Sequence, residues 1–246
     1  MLTDKPALGF FVEKIFNHEV AFKHLEAIVL RLKSFFSNAI DSLKSAIERN
    51  SLIVKATTLA FFIILVLSII VSIIVLSFVP ELSDQISSFT QSAFDLGDLP
   101  DPFTESFFSF IFLNNSGHFW NPIRMLVWIP LLGPLLLGFE ILLNSGVIGV
   151  VAVMAGINNG IAYPIIGLMP HGIIEIPAFM LQFSSIVLWQ VTITEAIVSK
   201  LQGRALDKPK IKLGLQDTLI LAVTSIILLL IAAAIESYVT PYLLGL

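Results

Sequence analysis

The residue types best suited to chemistry are gathered between Leu168 and Phe179, where Pro170, His171, Gly172, Glu175 and Pro177 interrupt an otherwise apolar run. Pro170 can open a helix, whereas Pro177 deprives the carbonyl of Ile173 of its helical donor. Two geometries follow. Either a helix begins at Pro170 and kinks, setting His171 and Glu175 four apart on one face, or the helix begins near Pro177 and residues 170–176 are irregular backbone. Irregular backbone at membrane depth is tolerated only where protein or water covers it, so the second geometry implies a lined cavity. Both bring His171 to Glu175. Such a pair serves as a structural ion pair, a proton-handling site or half of a metal site. A metal site is the least expected: spacing of four suits two zinc ligands, but there is no cysteine, His18 and His24 fall on the other side of the membrane, and only His118 with Glu140 or Glu105 offers completion. No metal and no cofactor is expected. Nor is there a Gly-rich phosphate loop, a nucleophile elbow or a basic nucleic-acid stripe, so neither a catalytic residue nor a nucleic-acid partner is expected.

The other candidates are Glu140, Asn158 and Asn159, together with Gln182 and Gln190. Each sits in an apolar segment, where a charge or amide facing lipid costs roughly 2–3 kcal/mol or more, so these side chains should face other helices or a wet cavity. For the amides, the simpler role is to bind helices together through buried hydrogen bonds.

The elements that must position these residues follow from composition. Apolar residues make up 56% of the 246 and charged residues only 13%, and the mean hydropathy is +0.92, a balance that only lipid tolerates at this size. We expect an all-α polytopic transmembrane helix bundle, with residues 1–55 a cytoplasmic amphipathic helical region and residues 56–246 the transmembrane domain. Ala56 to Val79 carries no charged side chain over 24 residues, enough to cross about 30 Å of hydrocarbon. Further spans are expected at 123–143, kinked by Pro130 and Pro134, and at 145–168, 173–198 and 218–235, the last ending near Glu236, Tyr238 and Tyr242. That makes about five. The loop 80–122 holds an 11-residue apolar segment, 103–113, too short to cross alone and expected to be interfacial or re-entrant. His118, Phe119, Trp120 and Trp128 suit an aromatic belt.

Lysine and arginine assign the sides. Residues 1–55 hold eight and the connection 199–216 holds five, while the loop 80–122 holds none and carries Glu81, Asp84, Asp95, Asp98, Asp101 and Glu105. An inside N-terminus, an acidic outer loop, a basic inner loop and an outside C-terminus satisfy five crossings of a plasma membrane. The first 55 residues lack the uninterrupted apolar core of a secretory signal. Within them Leu25, Ile28, Val29, Leu32, Phe35, Phe36, Ala39, Ile40, Leu43 and Ile47 recur at helical spacing opposite Lys23, Glu26, Lys33, Asp41, Lys44 and Glu48. This amphipathic helix can lie in the headgroup layer, pack on the spans, or dock a partner or second copy.

The run Pro170-His171-Gly172-Ile173-Ile174-Glu175-Ile176-Pro177-Ala178 resembles the signature of the stage II sporulation protein M family. Asn114-Asn115, ahead of a stretch with Gly133 and Gly138, and Asn144-Ser145-Gly146-Val147-Ile148-Gly149 resemble its paired asparagines and its Asn-Gly-x-x-x-Gly step. The likeness runs from about Phe103 through the fourth span and more loosely into the fifth. It implies a multi-spanning plasma-membrane protein with no catalytic activity established for the family at large, and adds Asn114, Asn115 and Asn144 to the candidate residues. In endospore formers the namesake holds two cell-wall-degrading partners in a membrane complex. Trp120-Asn121-Pro122 and the first 55 residues depart from the pattern, so the architecture and site carry over and the sporulation process does not. The expected function is a scaffold contacting lipids and other membrane proteins or copies of itself. The alternative is a channel or transporter with a polar pathway near His171 and Glu175.

Overall fold

The computed structural model describes residues 6–79, 81, 82, 85 and 100–245, with the side chains of the first helix described from residue 26 onward. Three of the expected loop acids, Asp84, Asp95 and Asp98, lie outside the described residues. The described chain is all-α and parts into two units between Ser45 and Ala46. The first unit consists of the helix α1 (Pro6–Arg49) as far as Ser45, and the last turn of α1 belongs to the second unit. Ile28, Val29, Leu32, Phe35, Phe36 and Ile40 are at least half exposed along it.

Four helices of the second unit are long and apolar enough to cross a membrane. They are α2 (Ser51–Phe78), α4 (Gly133–Asn159), α5 (Ala162–Leu201), and α6 (Lys208–Ala234) continued through a π-turn (Ile235–Val239) into α7 (Thr240–Leu244). Between α2 and α4 come a short helix, α3 (Glu105–Asn115), and two 3-10 turns, Gly117–Phe119 and Arg124–Trp128.

Helices α2 and α4 run parallel. Ser68 Oγ donates to the Gly146 carbonyl at 3.2 Å, and further along both helices Ile69 and Ile73 share a cavity wall with Ala152, Val153 and Gly156. The approach is set by small residues: Ser145 is fully buried, and a Cβ on Gly149 would sit 1.7 Å from Ser68 Oγ. Gly149→Leu should therefore push the helices apart at a cost of about 1–3 kcal/mol, the usual range for overpacking. The midpoint of unfolding in a mixed-micelle titration reads this out, and an unchanged midpoint would show that the contact tolerates a side chain.

Because α2 and α4 are parallel neighbours, the chain must return along the bundle between them. It does so beside α5. Asn115 meets Glu175, the Asn115 carbonyl accepts from Gln182, and the Val127 carbonyl accepts from Gln190, so this interrupted segment tracks α5 for 15 residues, about 22 Å at 1.5 Å per residue. Its backbone is not one helix, and protein covers it: Ser116, Gly117, His118 and Val127 are buried. The expected short segment is therefore real, as α3, capped by Thr104 Oγ1 accepting from the Phe107 amide at 3.1 Å. Helices α5 and α6 are antiparallel, with Gly214 against Thr192 at one end and His171 against Thr240 at the other.

Three sequence expectations change here. Residues 123–143 and 145–168 are not two spans. A single helix, α4, runs through Asn144-Ser145-Gly146, where the Asn144 amide and Ser145 hydroxyl bond back to the carbonyls of Glu140 and Ile141 and so leave the helix intact. Pro134 opens α4 rather than kinking a span, and Asn159 closes it just before Gly160 at φ 85°. Helix α5 begins neither at Pro170 nor at Pro177 but at Ala162, and both prolines lie inside it. The core joins α2, α4, α5 and α6 through Phe61, Leu137, Phe183, Ile186 and Leu229.

Candidate functional site

The uninterrupted first turns of α5 set His171 and Glu175 on one face, with His171 Nε2 3.7 Å from Glu175 Oε2. Glu175 Oε1 is held from the other side by Asn115 Nδ2 at 2.6 Å, at the end of α3. His171 Nδ1 lies 3.2 Å from the Thr240 hydroxyl at the start of α7. The π-turn brings in one more residue, Glu236, whose carboxylate joins the His171 imidazole and the Glu175 carboxylate in a set of donor atoms all within 4.8 Å of one another. A π-turn widens the helix by one residue and re-aims the side chains it carries, and here it separates the register of α6 from that of α7. A cavity of about 260 Å³ opens on this cluster, lined by His171, Glu236 and Thr240 with Tyr163, Pro164 and Phe107.

A second polar cluster lies further along α5, in the interrupted segment. Arg124 Nη2 and His118 Nε2 approach Glu140 Oε2 at 3.4 and 3.5 Å, and Asn144 Nδ2 donates to the same oxygen at 3.3 Å. Arg124 also donates to the carbonyl of Asn114. The His118 ring is fully buried edge-on against Phe183, and its carbonyl accepts from Trp128 Nε1 at 2.8 Å. The expectation of an aromatic belt of His118, Phe119, Trp120 and Trp128 fails for His118, whose ring is sealed in the bundle, while Phe119 and Trp128 are half-buried. Trp128 packs between Phe119 and Trp189, and of the four only Trp120 stays substantially exposed.

The structure thus sorts the expected residues. His171, Glu175 and Asn115 meet in the first cluster, while Glu140, Asn144 and the Asn114 backbone meet in the second. Asn158 and Asn159 join neither, and are exposed where α4 turns into α5. Gln182 and Gln190 hold the interrupted segment to α5 through backbone carbonyls. Pro170 and Pro177 bracket His171 and Glu175 within the helix, and Gly172 presents its Cα to open space.

Sequence reasoning missed Glu236, Thr240 and Arg124. Glu236 and Thr240 lie beyond a clean apolar run and read as its end. The available signal was an acid within a tail that stays apolar as far as Leu246. At the basic end of the bundle, Arg49 holds Asp217 through Nε at 3.0 Å and Nη2 at 2.5 Å, and this hydrogen bonding raises the Arg49 guanidinium above its ordinary value.

No curated protein and no solved structure matches the chain. The family model described as Stage II sporulation protein M matches residues 58–241, a range that contains both clusters and leaves out α1. With well over half its length so matched, the chain belongs to the Stage II sporulation protein M family of membrane proteins.

Proposed function

We propose that the chain is a non-enzymatic scaffold that assembles with further copies of itself in a plasma membrane, with the N-terminus and the basic connection 199–216 cytoplasmic and the C-terminus outside. The observation that carries the reading is the exposed apolar stripe of α1. Positions 25, 29, 32, 36, 39 and 43 alternate steps of four and three, the seam of a coiled coil, and Ile28, Phe35 and Ile40 widen it to suit more than one neighbour. Residues 26–48 carry Arg31, Lys33 and Lys44 against Glu26, Asp41 and Glu48. That even balance lacks the cationic excess by which an interfacial helix holds anionic headgroups, and it suits a protein neighbour. Counting the returning segment 104–132 beside the four long helices gives five passes, and the cavity shared by Arg49 and Lys210 at one end supports this orientation through the positive-inside bias.

The channel or transporter reading draws on the cavity beside His171 and Glu236. Against it stands the layer beneath, where Phe179, Phe183 and Ile186 are buried in one cluster with Phe61 and Leu229, and Gln182 is fully buried beside them in α5.

The absence of cysteine makes the test direct. Ala39→Cys on the stripe should give a disulfide-linked dimer on oxidation of membranes at native expression, and Ser34→Cys on the opposite face should not. Phe36→Glu should reduce the Ala39→Cys product at least tenfold. Equal or absent cross-linking at both positions sinks self-assembly through α1.

A further inference from the structure

The structure holds a second chemistry that the scaffold reading does not use. Glu175 and Glu236 face one another within the bundle, and among the described residues no lysine or arginine lies within ion-pair distance of either carboxylate. Two carboxylates confined in an apolar interior are stabilised by a proton or a positive partner, and among the described residues only the imidazole of His171 is placed to be the latter. His171 is itself oriented toward them. Its Nδ1 is engaged by the Thr240 hydroxyl, leaving Nε2, on a side chain only 7% exposed, aimed at the carboxylates with no hydrogen-bond partner. Glu175 shows the same division of labour, with Oε1 taken by Asn115 and Oε2 left facing His171. Glu236 makes no hydrogen bond or ion pair among the described residues. Three donor atoms are thus turned inward while outer partners fix the other faces of two of the three ligands, which is how ligands of a bound metal are held.

From this we infer that His171 Nε2, Glu175 and Glu236 bind a divalent transition-metal ion of the zinc class. One imidazole and two carboxylates are a donor set suited to such ions, and their charges cancel a 2+ ion within the bundle. Bonds of about 2.0–2.2 Å place tetrahedral donors about 3.4 Å apart, so the present set, all within 4.8 Å, closes with small side-chain movements. Remaining coordination positions face the 260 Å³ cavity, which His171 and Glu236 line. The ion would tie the first half of α5 to the π-turn and, through Asn115, to α3. It departs from the sequence expectation of no metal: in this proposal the third ligand is Glu236, not His118 with Glu140 or Glu105.

Full-length protein purified in detergent and stripped with a chelator is titrated with Zn2+ and Mn2+ against a metallochromic indicator, with bound metal counted by elemental analysis. The expected result is one Zn2+ per chain. His171→Ala and Glu236→Gln should weaken binding a hundredfold or more, Thr240→Val should weaken it by about 10–100-fold through the ring it orients, and Glu195→Gln at the other end of α5 should leave it unchanged. Glu236→Gln preserves side-chain volume, and its elution as a single species in size exclusion separates loss of a ligand from loss of fold. Wild-type protein that takes up no stoichiometric Zn2+ or Mn2+, or that keeps its affinity in Glu236→Gln, overturns the inference. Neither outcome bears on cross-linking through α1.

Discussion

Replacing Arg124 by alanine should destabilise the bundle by about 3–5 kcal/mol, because it leaves the Glu140 carboxylate inside with only His118 and Asn144 for company. The guanidinium does three things at once. It sits 3.4 Å from Glu140 Oε2, lies against the ring of fully buried His118, and donates to the Asn114 carbonyl where α3 ends and the chain turns along the bundle. Arg124 and Glu140 are each only 19% exposed, so solvent screening does little to soften the loss. Lysine should not rescue it, since a single ammonium cannot span the three partners of a planar fork. Arg124→Met combined with Glu140→Gln should recover at least half of the cost, since removing both charges leaves none stranded. The measurement is a double-mutant cycle on unfolding in mixed micelles. A cost below about 1 kcal/mol for Arg124→Ala would show the cluster to be hydrated and of little weight.

The same cluster shows where reading the sequence succeeds and where it stops. Composition is enough for the membrane class, because no packing arrangement hides so much apolar surface in water. The expected span Ala56–Val79 falls on α2 (Ser51–Phe78) but for its last residue, which caps the helix, and the apolar run is uninterrupted. The pairing of His171 with Glu175 was legible too, being a matter of local spacing that survives either proline geometry. Boundaries failed where polar residues have two uses. Asn144-Ser145-Gly146 reads as a break, yet its side chains bond back within α4, and buried Ser145 with Gly149 one turn on lets α4 approach α2. Pro170 reads as a start, yet the packed turns before it carry α5 back to Ala162. Arg124 and Glu236 were not legible as site residues. Arg124 reaches Glu140 across 16 residues and Glu236 reaches Glu175 across 61, between elements whose register only the fold decides. Asn158 and Asn159 erred in the opposite sense: amides beside a glycine look like polar residues within a span and are the end of one.

Gly133 lies at one of the closest approaches among the described residues, and Gly133→Val should cost at least about 2 kcal/mol. Here the interrupted segment gives way to α4, and three groups converge on one point. A Cβ on Gly133 would lie 2.1 Å from the Val127 carbonyl oxygen and 2.5 Å from Gln190 Nε2, and those two atoms are themselves hydrogen-bonded at 2.5 Å. One of them is backbone and the other is a buried amide anchored in α5, so neither can move aside as a flexible side-chain end would. The turn itself is already constrained. Leu131 holds φ at 73°, the Gly133 amide donates to the Ile129 carbonyl at 2.7 Å, and Pro134 fixes the first helical residue. A side chain must therefore break the Gln190 bond, leaving a buried amide without a partner at about 1–3 kcal/mol, and add the strain of overpacking, about 1–3 kcal/mol more. Gly138, one turn and a half further along α4, supplies the contrast. Nothing lies within 4 Å of its would-be Cβ, so Gly138→Ala should be neutral or stabilise by up to about 1 kcal/mol through helix propensity alone. Measured side by side in mixed-micelle unfolding, the two glycines should move the midpoint in opposite directions or leave Gly138→Ala at wild type. Equal destabilisation at both would mean that α4 needs glycine for its own flexibility and not for the close approach of the returning chain.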